Sequence, residues 1–274
     1  MHPRSKVHKL CLELIARFLY YNNSYLSMED IAKTISNKDM FSLRINQVLD
    51  FLKTKSIMLE KLNAIEIFGG TGQNDVAVAV SVKTFEIWEI DGKLKPELEK
   101  KFPNAKIKIC NSIERLKQYQ NTSKFDLIMI DNPISVFGAG KNSSEYCEHF
   151  DMIKNVGKLI DNEAIVIFLI NKKPFFFNKL KNKNELWRKR RQEFYGNINT
   201  NDMSIPFLTS FYTELFRNIG FATIFTNFIP RHNPHLDYFI FKLRKNDVQY
   251  GDSLKTFDWI SLDPLFSRNQ SDNF

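Results

Sequence analysis

Residues 63–91, NAIEIFGGTGQNDVAVAVSVKTFEIWEID, decide the fold of this chain. The apolar run over residues 64–68 predicts a buried strand, and three glycines follow it. Residues 74–82 then predict a helix, and residues 84–90 predict a second strand. In a parallel α/β sheet this order places a ligand site outside the carboxyl ends of the strands.

The three glycines, Gly69, Gly70 and Gly72, shape the turn after the first strand. Gly69 and Gly70 permit positive φ and, because they lack a Cβ, would leave a ligand room beside the backbone. Gly72 is expected to let the following helix pack closely on the strand. The amino end of that helix would then point its unpaired N–H groups at whatever lies above the turn.

The turn motif, Glu66-Ile67-Phe68-Gly69-Gly70-Thr71-Gly72, does not fit the G-x-G-x-x-G of dinucleotide-binding proteins. It resembles the (D/E)-x-(F/G)-x-G-x-G first motif of class I S-adenosylmethionine-dependent methyltransferases. The resemblance implies that S-adenosyl-L-methionine is bound by Glu66, Phe68, Gly69, Gly70 and Gly72, and that its ribose hydroxyls donate to Glu89. An ordinary strand–helix–strand crossover with a glycine turn and no cofactor is the alternative.

The third strand, predicted over residues 106–110, ends at Asn111 and Ser112. In the resembled family the residue at this place hydrogen-bonds the adenine amino group, and the amide of Asn111 can accept from that group. An Asn-Ser pair is also typical of a helix cap, here ahead of residues 113–119. The two interpretations are compatible.

The fourth strand, predicted over residues 124–130, ends in Asp131-Asn132-Pro133-Ile134-Ser135. In the resembled family this turn holds the acceptor, and enzymes that methylate exocyclic or amide nitrogens carry (N/D/S)-P-P-(Y/F/W) here. Asn132 and Pro133 match the first two positions, whereas the second proline and the aromatic are missing. Phe137 is a candidate for stacking on the acceptor, and Asp131 is a candidate base or oxygen ligand.

A glycine-containing loop over residues 138–144 is expected to cover the site, and Glu145-Tyr146-Cys147-Glu148-His149-Phe150-Asp151 opens the next helix. His149 is a candidate general base. Adjacent residues of a helix point in different directions, so the acids around His149 cannot all converge on one ion, and we predict no metal site. A solvated helix start, with acids favoured by the helix dipole, is the alternative.

The rest of the pattern favours an α/β fold whose sheet is mostly parallel, with helices on both faces and a C-terminal antiparallel hairpin. Two final strands, joined by the short turn over residues 230–235, must be antiparallel. The class I methyltransferase sheet closes with such a hairpin, and the resemblance covers residues 62–244. The predicted elements of this part are strand 163–171, helix 206–218 and strands 222–229 and 236–243.

Residues 172–204 interrupt the pattern as an insertion rich in Lys, Asn and Arg. Basic residues interleaved with aromatic ones suit a phosphate-rich, stackable acceptor. The residues expected to bind the substrate are therefore Trp187, Arg190, Arg191 and Tyr195. A charged helical face whose aromatic side chains turn to the core accounts for the same residues.

Residues 1–60 predict an all-helical, winged-helix-like domain ahead of an S-adenosylmethionine-binding domain over residues 61–246 and a tail over residues 247–274. Ser27 and Asp30 resemble a capping box before a short second helix. A third helix over residues 40–55 would read DNA with Ser42, Arg44, Asn46 and Gln47. Dimerisation or capping of the substrate site is the alternative role.

The composition bounds the class of protein. With 274 residues, 43% of them hydrophobic, the chain can form one large domain with an appendage. We expect no membrane span and no secretion signal, because no apolar run is long enough. The three cysteines lack the spacing of a disulfide framework or a zinc site, so we expect a cytoplasmic protein. The net charge of +8 permits a nucleic-acid partner or a merely lysine-rich protein.

These observations together favour an S-adenosylmethionine-dependent methyltransferase whose acceptor is an amino nitrogen of a nucleic-acid base. One alternative is a small-molecule methyltransferase in which the N-terminal helices form a lid or a homodimer interface. Another is a non-catalytic nucleic-acid-binding module.

Overall fold

A computed structural model describes residues 37–72, 75–119, 124–131, 148–172, 181–196, 198–200, 202–231 and 236–246. Several predictions lie outside the described residues: the first two helices with Ser27 and Asp30, the side chain of Ser42, the loop with Asn132, Pro133 and Phe137, and the tail over residues 247–274.

The described strands form one sheet. They are β1 (Asn63–Glu66), β2 (Thr84–Glu89), β3 (Lys106–Ile109), β4 (Leu127–Ile130), β5 (Glu163–Asn171), β6 (Phe221–Pro230) and β7 (Leu236–Lys245). Their order is β3-β2-β1-β4-β5-β7-β6. The pairs among β1 to β5 are parallel, whereas β7 runs antiparallel to both β5 and β6. The mostly parallel sheet with a C-terminal hairpin is therefore confirmed, and it matches the sheet that the resemblance implies.

The helices lie on both faces of this sheet. They are α1 (Asn37–Thr54), α2 (Asp75–Ala79), α3 (Lys95–Lys101), α4 (Ser112–Lys117), α5 (Phe150–Ile153), α6 (Lys181–Tyr195) and α7 (Ile205–Asn218). Helix α2 is shorter than the predicted 74–82. Valines at alternate positions of that stretch lower its helix propensity, because β-branched side chains lose rotamer freedom in a helix. Among the described helices, none is both long and apolar enough to cross a bilayer.

The sheet separates two hydrophobic cores, and strand β5 contributes side chains to both. Val166, Phe168 and Ile170 point to the face covered by α4 to α7, whereas Ile165, Ile167 and Leu169 point to the face covered by α1 to α3. Because both faces are covered, the strand is apolar at every position from Ala164 to Ile170 rather than at alternate ones.

Helix α1 belongs to the second of these cores. Ile45, Val48, Leu49 and Leu52 are buried against the sheet. The ring of Phe51 meets that of Phe225 of β6 edge to face, with 5.8 Å between centroids. The described part of the segment expected to form a separate helical domain is α1, and it packs on the sheet.

Truncation of this contact tests how α1 is attached. Leu52→Ala removes a side chain that is 0% exposed, so the free energy of unfolding should fall by about 2–5 kcal/mol. Asn46→Ala, on the exposed side of the same helix, should change it by less than about 0.5 kcal/mol. Urea denaturation measures both variants. Equal effects would mean that α1 is not part of the sheet's core.

Candidate functional site

The glycine turn follows β1, and its three glycines have distinct roles. Gly70 and Gly72 have φ of +50° and +64°, and a Cβ added to Gly70 would meet no atom within 4 Å. Gly69 does not use the positive φ that a glycine permits, and a Cβ added to it would lie 2.3 Å from the Ile87 side chain of β2. Gly72 admits the ring of Phe102 after α3, not helix α2 as expected. The turn therefore leaves open space at Gly70.

Glu89 braces this turn from the end of β2. Its Oε2 accepts a hydrogen bond from the Gly70 N–H at 2.6 Å, and its Oε1 accepts one from the Asp91 N–H at 2.7 Å. Each carboxylate oxygen can accept a second hydrogen bond. Glu89 thus fixes the turn while keeping acceptor capacity toward a ligand.

Lys101 holds the other side of the turn. Its Nζ donates to the carbonyl oxygens of Thr71 and Gly72 at 2.9 and 2.7 Å. The sequence does not distinguish this lysine from the other lysines of α3, because the contact depends on how the helix packs. Lys101 is a supporting residue that the motif does not reveal.

Asn111 caps α4, as one of its two interpretations predicted. Its Oδ1 accepts from the N–H groups of Ile113 and Glu114 at 3.1 and 3.3 Å. The neighbouring Ser112 hydroxyl donates to the Ile67 carbonyl at 2.6 Å. These bonds place the end of β3 beside the glycine turn, where Asn111 was expected to meet a ligand.

Glu66 links the glycine turn to the turn after β4. Its Oε1 accepts from the Phe68 N–H at 3.0 Å and from the Asp131 N–H at 3.3 Å, and its side chain is only 1% exposed. Its Oε2 is buried without a hydrogen-bond partner. Burial, with the negative charge of Asp131, raises the pKa of Glu66 to about 8. This carboxyl group therefore carries a proton at neutral pH.

Asp75, the first residue of α2, is a second buried acid at this place. It is 2% exposed, and its Oδ2 also has no hydrogen-bond partner. Burial, and then the charges of Glu66 and Asp131, raise the pKa of Asp75 well above its ordinary value. The sequence does not single out Asp75, because an acid in a first helical turn is ordinarily a solvated partner of the helix dipole.

Asp131 is held by two side chains of the C-terminal hairpin. Its Oδ1 accepts from Arg231 Nη1 at 3.2 Å, and its Oδ2 accepts from the Tyr238 hydroxyl at 3.3 Å. The guanidinium of Arg231 lies over the Tyr238 ring, 5.1 Å from its centroid. Strand β5 lies between β4 and β7, so these two strands are about 10 Å apart. Only long side chains from the hairpin can reach Asp131 across that distance. The first residue of the β4 turn is thus fixed and charge-balanced.

The structure places His149 inside the core. It is 0% exposed, its Nε2 shares a hydrogen bond with the Tyr212 hydroxyl, and the rings of Phe150 and Phe168 contact it. Burial, with the positive charge of Arg191, lowers the pKa of His149 to about 3. The imidazole is therefore a neutral part of the packing, not an exposed base as expected.

The insertion residues also turn inward. Trp187, Arg191 and Tyr195 are 2%, 0% and 4% exposed. Trp187 Nε1 and Arg191 Nη1 donate to Glu148 Oε1 at 2.8 and 2.5 Å, which anchors α6. Arg190 is partly exposed but paired with Asp151 at 3.1 Å. The aromatic side chains of this segment turn to the core, as the second interpretation predicted. Trp187, Arg191 and Tyr195 therefore do not form the expected surface for an acceptor.

The carboxyl edge of the sheet therefore collects all seven expected cofactor residues and one of the expected acceptor residues. They are Glu66, Phe68, Gly69, Gly70, Gly72, Glu89, Asn111 and Asp131. Asp75, Lys101, Arg231 and Tyr238 join them without a sequence signal. Among the described residues, no group of three or more His, Cys, Asp or Glu side chains could hold a metal ion.

No protein-family model matches the chain, and no curated protein matches its sequence. Solved structures match the fold, and those named here are methyltransferases. Magnesium protoporphyrin IX methyltransferase from Synechocystis PCC 6803, with bound SAH, is 12% identical with a TM-score of 0.45, and the match covers 85% of this chain and 94% of that one.

Two further matches are of the same kind. N-methyltransferase NodS from Bradyrhizobium japonicum WM9 is 11% identical with a TM-score of 0.48, covering 78% of this chain and 100% of that one. Burkholderia thailandensis 1,6-didemethyltoxoflavin-N1-methyltransferase, with bound 1,6-didemethyltoxoflavin and S-adenosylhomocysteine, is 10% identical with a TM-score of 0.46, and the match covers 90% of this chain and 92% of that one. At this level of identity the likeness is one of fold.

Glu66 should make stability depend on pH. Its pKa lies at about 8 in the folded chain and near the ordinary 4.5 in the unfolded chain, so only the folded state keeps the proton between these values. The stabilisation is complete below about pH 4.5 and is lost as the pH rises through about 8, with a slope of at most about 1.4 kcal/mol per pH unit. Glu66→Gln should lose this part of the slope in urea denaturation between about pH 5 and 8. Equal slopes would contradict the assignment.

The Arg231–Asp131 pair should matter more to stability than a surface pair. Arg231→Met removes a cation from the largely buried carboxylate of Asp131 and should cost about 3–5 kcal/mol, whereas Tyr238→Phe removes one hydrogen bond and should cost about 1 kcal/mol. Arg217→Met, which breaks an exposed pair with Glu214, should cost less than about 1 kcal/mol. Denaturation of the three variants checks this order. An Arg231 variant no weaker than the Arg217 variant would show that the buried pair does not form.

Proposed function

We propose that this chain is an S-adenosylmethionine-dependent methyltransferase that binds its cofactor over the ends of β1, β2 and β3 and its acceptor at the turn after β4. One observation carries the proposal. The glycine turn, the bracing Glu89 and the β4 turn meet at the point where the strand order reverses, and the two turns share hydrogen bonds to Glu66.

The residues present fit this cofactor. Open space beside Gly70 lets a ligand approach the backbone, and Glu89 keeps lone pairs for the two vicinal hydroxyls of a ribose. Ile90 and Ile109, at the ends of β2 and β3, are 44% and 39% exposed and offer apolar surface to a purine. Asn111 follows Ile109 by two residues, and we propose that it meets the purine ring. When bound, the cofactor supplies a methyl group already activated on a sulfonium.

The chain itself would contribute to the reaction by orienting the methyl donor and the acceptor. Glu66 accepts from the backbone of both turns, so donor and acceptor would be held at a fixed separation. The clamp on Asp131 fixes where the acceptor turn begins. Asn132 and Pro133 would receive the hydrogens of an amino group and direct its lone pair at the methyl. Correct placement of two reactants can supply most of a rate enhancement when the donor is already activated.

For the acceptor we propose an amino nitrogen of a nucleic-acid base, because Asn132 and Pro133 match the first two positions of the motif that amino-methylating enzymes carry at this turn. The inward-facing Trp187, Arg191 and Tyr195 give this acceptor no support. Their burial favours the second candidate, a small-molecule acceptor, for which no extended basic surface is needed.

Transfer of a labelled methyl group into a fractionated cell extract tests the proposal. Wild-type protein should label one of four fractions: DNA, RNA, protein or small molecules. Glu89→Ala should reduce both labelling and S-adenosylhomocysteine affinity by about tenfold or more, because a charge-assisted hydrogen bond is lost. Glu97→Ala, exposed on α3, is the matched control and should change neither.

The labelled fraction separates the two acceptors. Label in DNA or RNA, with binding that weakens steeply as salt rises, supports the nucleic-acid base. Label in small molecules alone overturns that acceptor and keeps the enzyme. No labelling and no binding of S-adenosylhomocysteine would overturn the proposed function.

A further inference from the structure

Strand β6 is an open edge of the sheet. It is last in the strand order, so its outer side pairs with no strand among the described residues. The strand is ten residues long, and its sequence, FATIFTNFIP, carries no charge. Ile224 and Phe228 of this strand are 44% and 40% exposed. A long, uncharged and partly apolar edge readily accepts a further strand, because its outer N–H and C=O groups have no partners within the sheet.

The opposite edge of the sheet is protected in a way that β6 is not. Strand β3 has four residues, KIKI, and both of its lysines pair with Glu86 of β2. Short length and lysine side chains are common means of keeping another strand off an edge. Strand β6 has a bulge between Thr223 and Phe225 and a proline at its end, which still leave a regular ladder over residues 225–229. The chain thus leaves one long edge without charged protection.

The C-terminal tail leaves the sheet at this edge. Strand β7 ends opposite Phe221, at the start of β6, and the Asn246 N–H donates to the Gly220 carbonyl oxygen at 2.9 Å. Residues 247–274 follow from that point. A strand on the outer side of β6 would lie about 10 Å from β7, because adjacent strands are about 5 Å apart. Residues 247–253 span about 23 Å when extended and are therefore long enough to reach that position.

The next part of the tail has the composition of a strand. Residues 254–262 read LKTFDWISL, in which Thr, Phe, Trp and Ile are residues that strands favour. The tail also carries five acids and two bases, whereas the rest of the chain has an excess of bases. Lys55, exposed after α1, lies over the ring of Phe225 of β6, 6.0 Å from its centroid. The acidic tail and the cation beside the edge strand are complementary in charge.

We propose that residues 254–262 form a further strand that pairs with the outer edge of β6 and runs parallel to it. The direction follows from the start of the tail at the amino end of β6. Backbone hydrogen bonds would satisfy the outer groups of residues 225–229, and apolar tail side chains would shield Ile224 and Phe228. The added strand would end at the carboxyl edge of the sheet, where Arg231 follows β6. The inference does not depend on the proposed function.

Amide hydrogen exchange of the wild-type chain, measured by mass spectrometry, tests this pairing. In an open edge strand every second amide points outward and exchanges rapidly, whereas in a strand paired on both sides all amides exchange slowly. We expect slow exchange in residues 225–229 and in residues 254–262 together, unchanged when the protein is diluted. Rapid exchange in either stretch would overturn the inference. Protection of β6 that disappears on dilution would assign the edge to a second copy of the chain and would overturn it as well.

Trp259→Pro combined with Ile260→Pro supplies the second measurement. Successive residues of a strand direct their N–H groups to opposite sides, so one of the two prolines removes a donor that faces β6. The outward amides of residues 225–229 should exchange about tenfold faster or more than in wild-type protein, while the amides of β5 stay protected. Asn269→Pro combined with Gln270→Pro, later in the same tail, is the matched control and should leave both stretches unchanged.

The outcomes identify what covers the edge. If β6 stays protected in the Trp259 and Ile260 double variant, another segment covers it, such as residues 1–36, and the inference is overturned. If the variant exposes residues 254–262 but leaves residues 225–229 protected, the tail docks elsewhere and the inference fails equally. Protection of β5 reports whether the variant is folded, and the wild-type exchange decides the matter even if it is not.

Discussion

The hydrogen bonds of one buried carboxyl group, that of Glu66, hold together the two turns on which the site depends. Its Oε1 accepts from Phe68 in the glycine turn and from Asp131 in the turn after β4. The neighbouring parallel strands β1 and β4 pair Glu66 with Met129, so both turns begin at the same level of the sheet. In the low dielectric of the interior such bonds are strong, and the relative position of the turns is fixed by one side chain.

A second buried polar group, on the opposite face of the sheet, fixes α6. Glu148 receives Trp187 and Arg191, and Arg191 also donates to the carbonyl oxygens of Asn171 and Thr200 at 2.8 and 3.1 Å. A buried pair with so many partners specifies one position for a helix more than it adds stability. The insertion is therefore joined to the end of β5, although its composition is that of a solvated segment.

The net charge of +8 is a poor guide to partners in this fold. Several of the cations in the described residues have internal tasks, as Arg191 has with Glu148, Arg231 with Asp131 and Lys108 with Glu86. A charge that neutralises a buried acid contributes nothing to a binding surface. A nucleic-acid acceptor would be bound by cations that remain exposed on the surface, and the net charge of the sequence does not count these.

The sequence by itself determined the order of strands and helices, the glycine turn and the cap by Asn111, because these depend on periodicity and on residues near one another in the chain. Strand β5 was predicted at Glu163–Asn171 without error, since burial on both faces leaves a continuous apolar run. Only the tertiary structure decided that α1 joins the sheet, that Trp187 and His149 are buried, and that Asp75, Lys101, Arg231 and Tyr238 complete the site. Asp131 and Tyr238 lie 107 residues apart in the sequence, and no local pattern records a contact that chain packing creates.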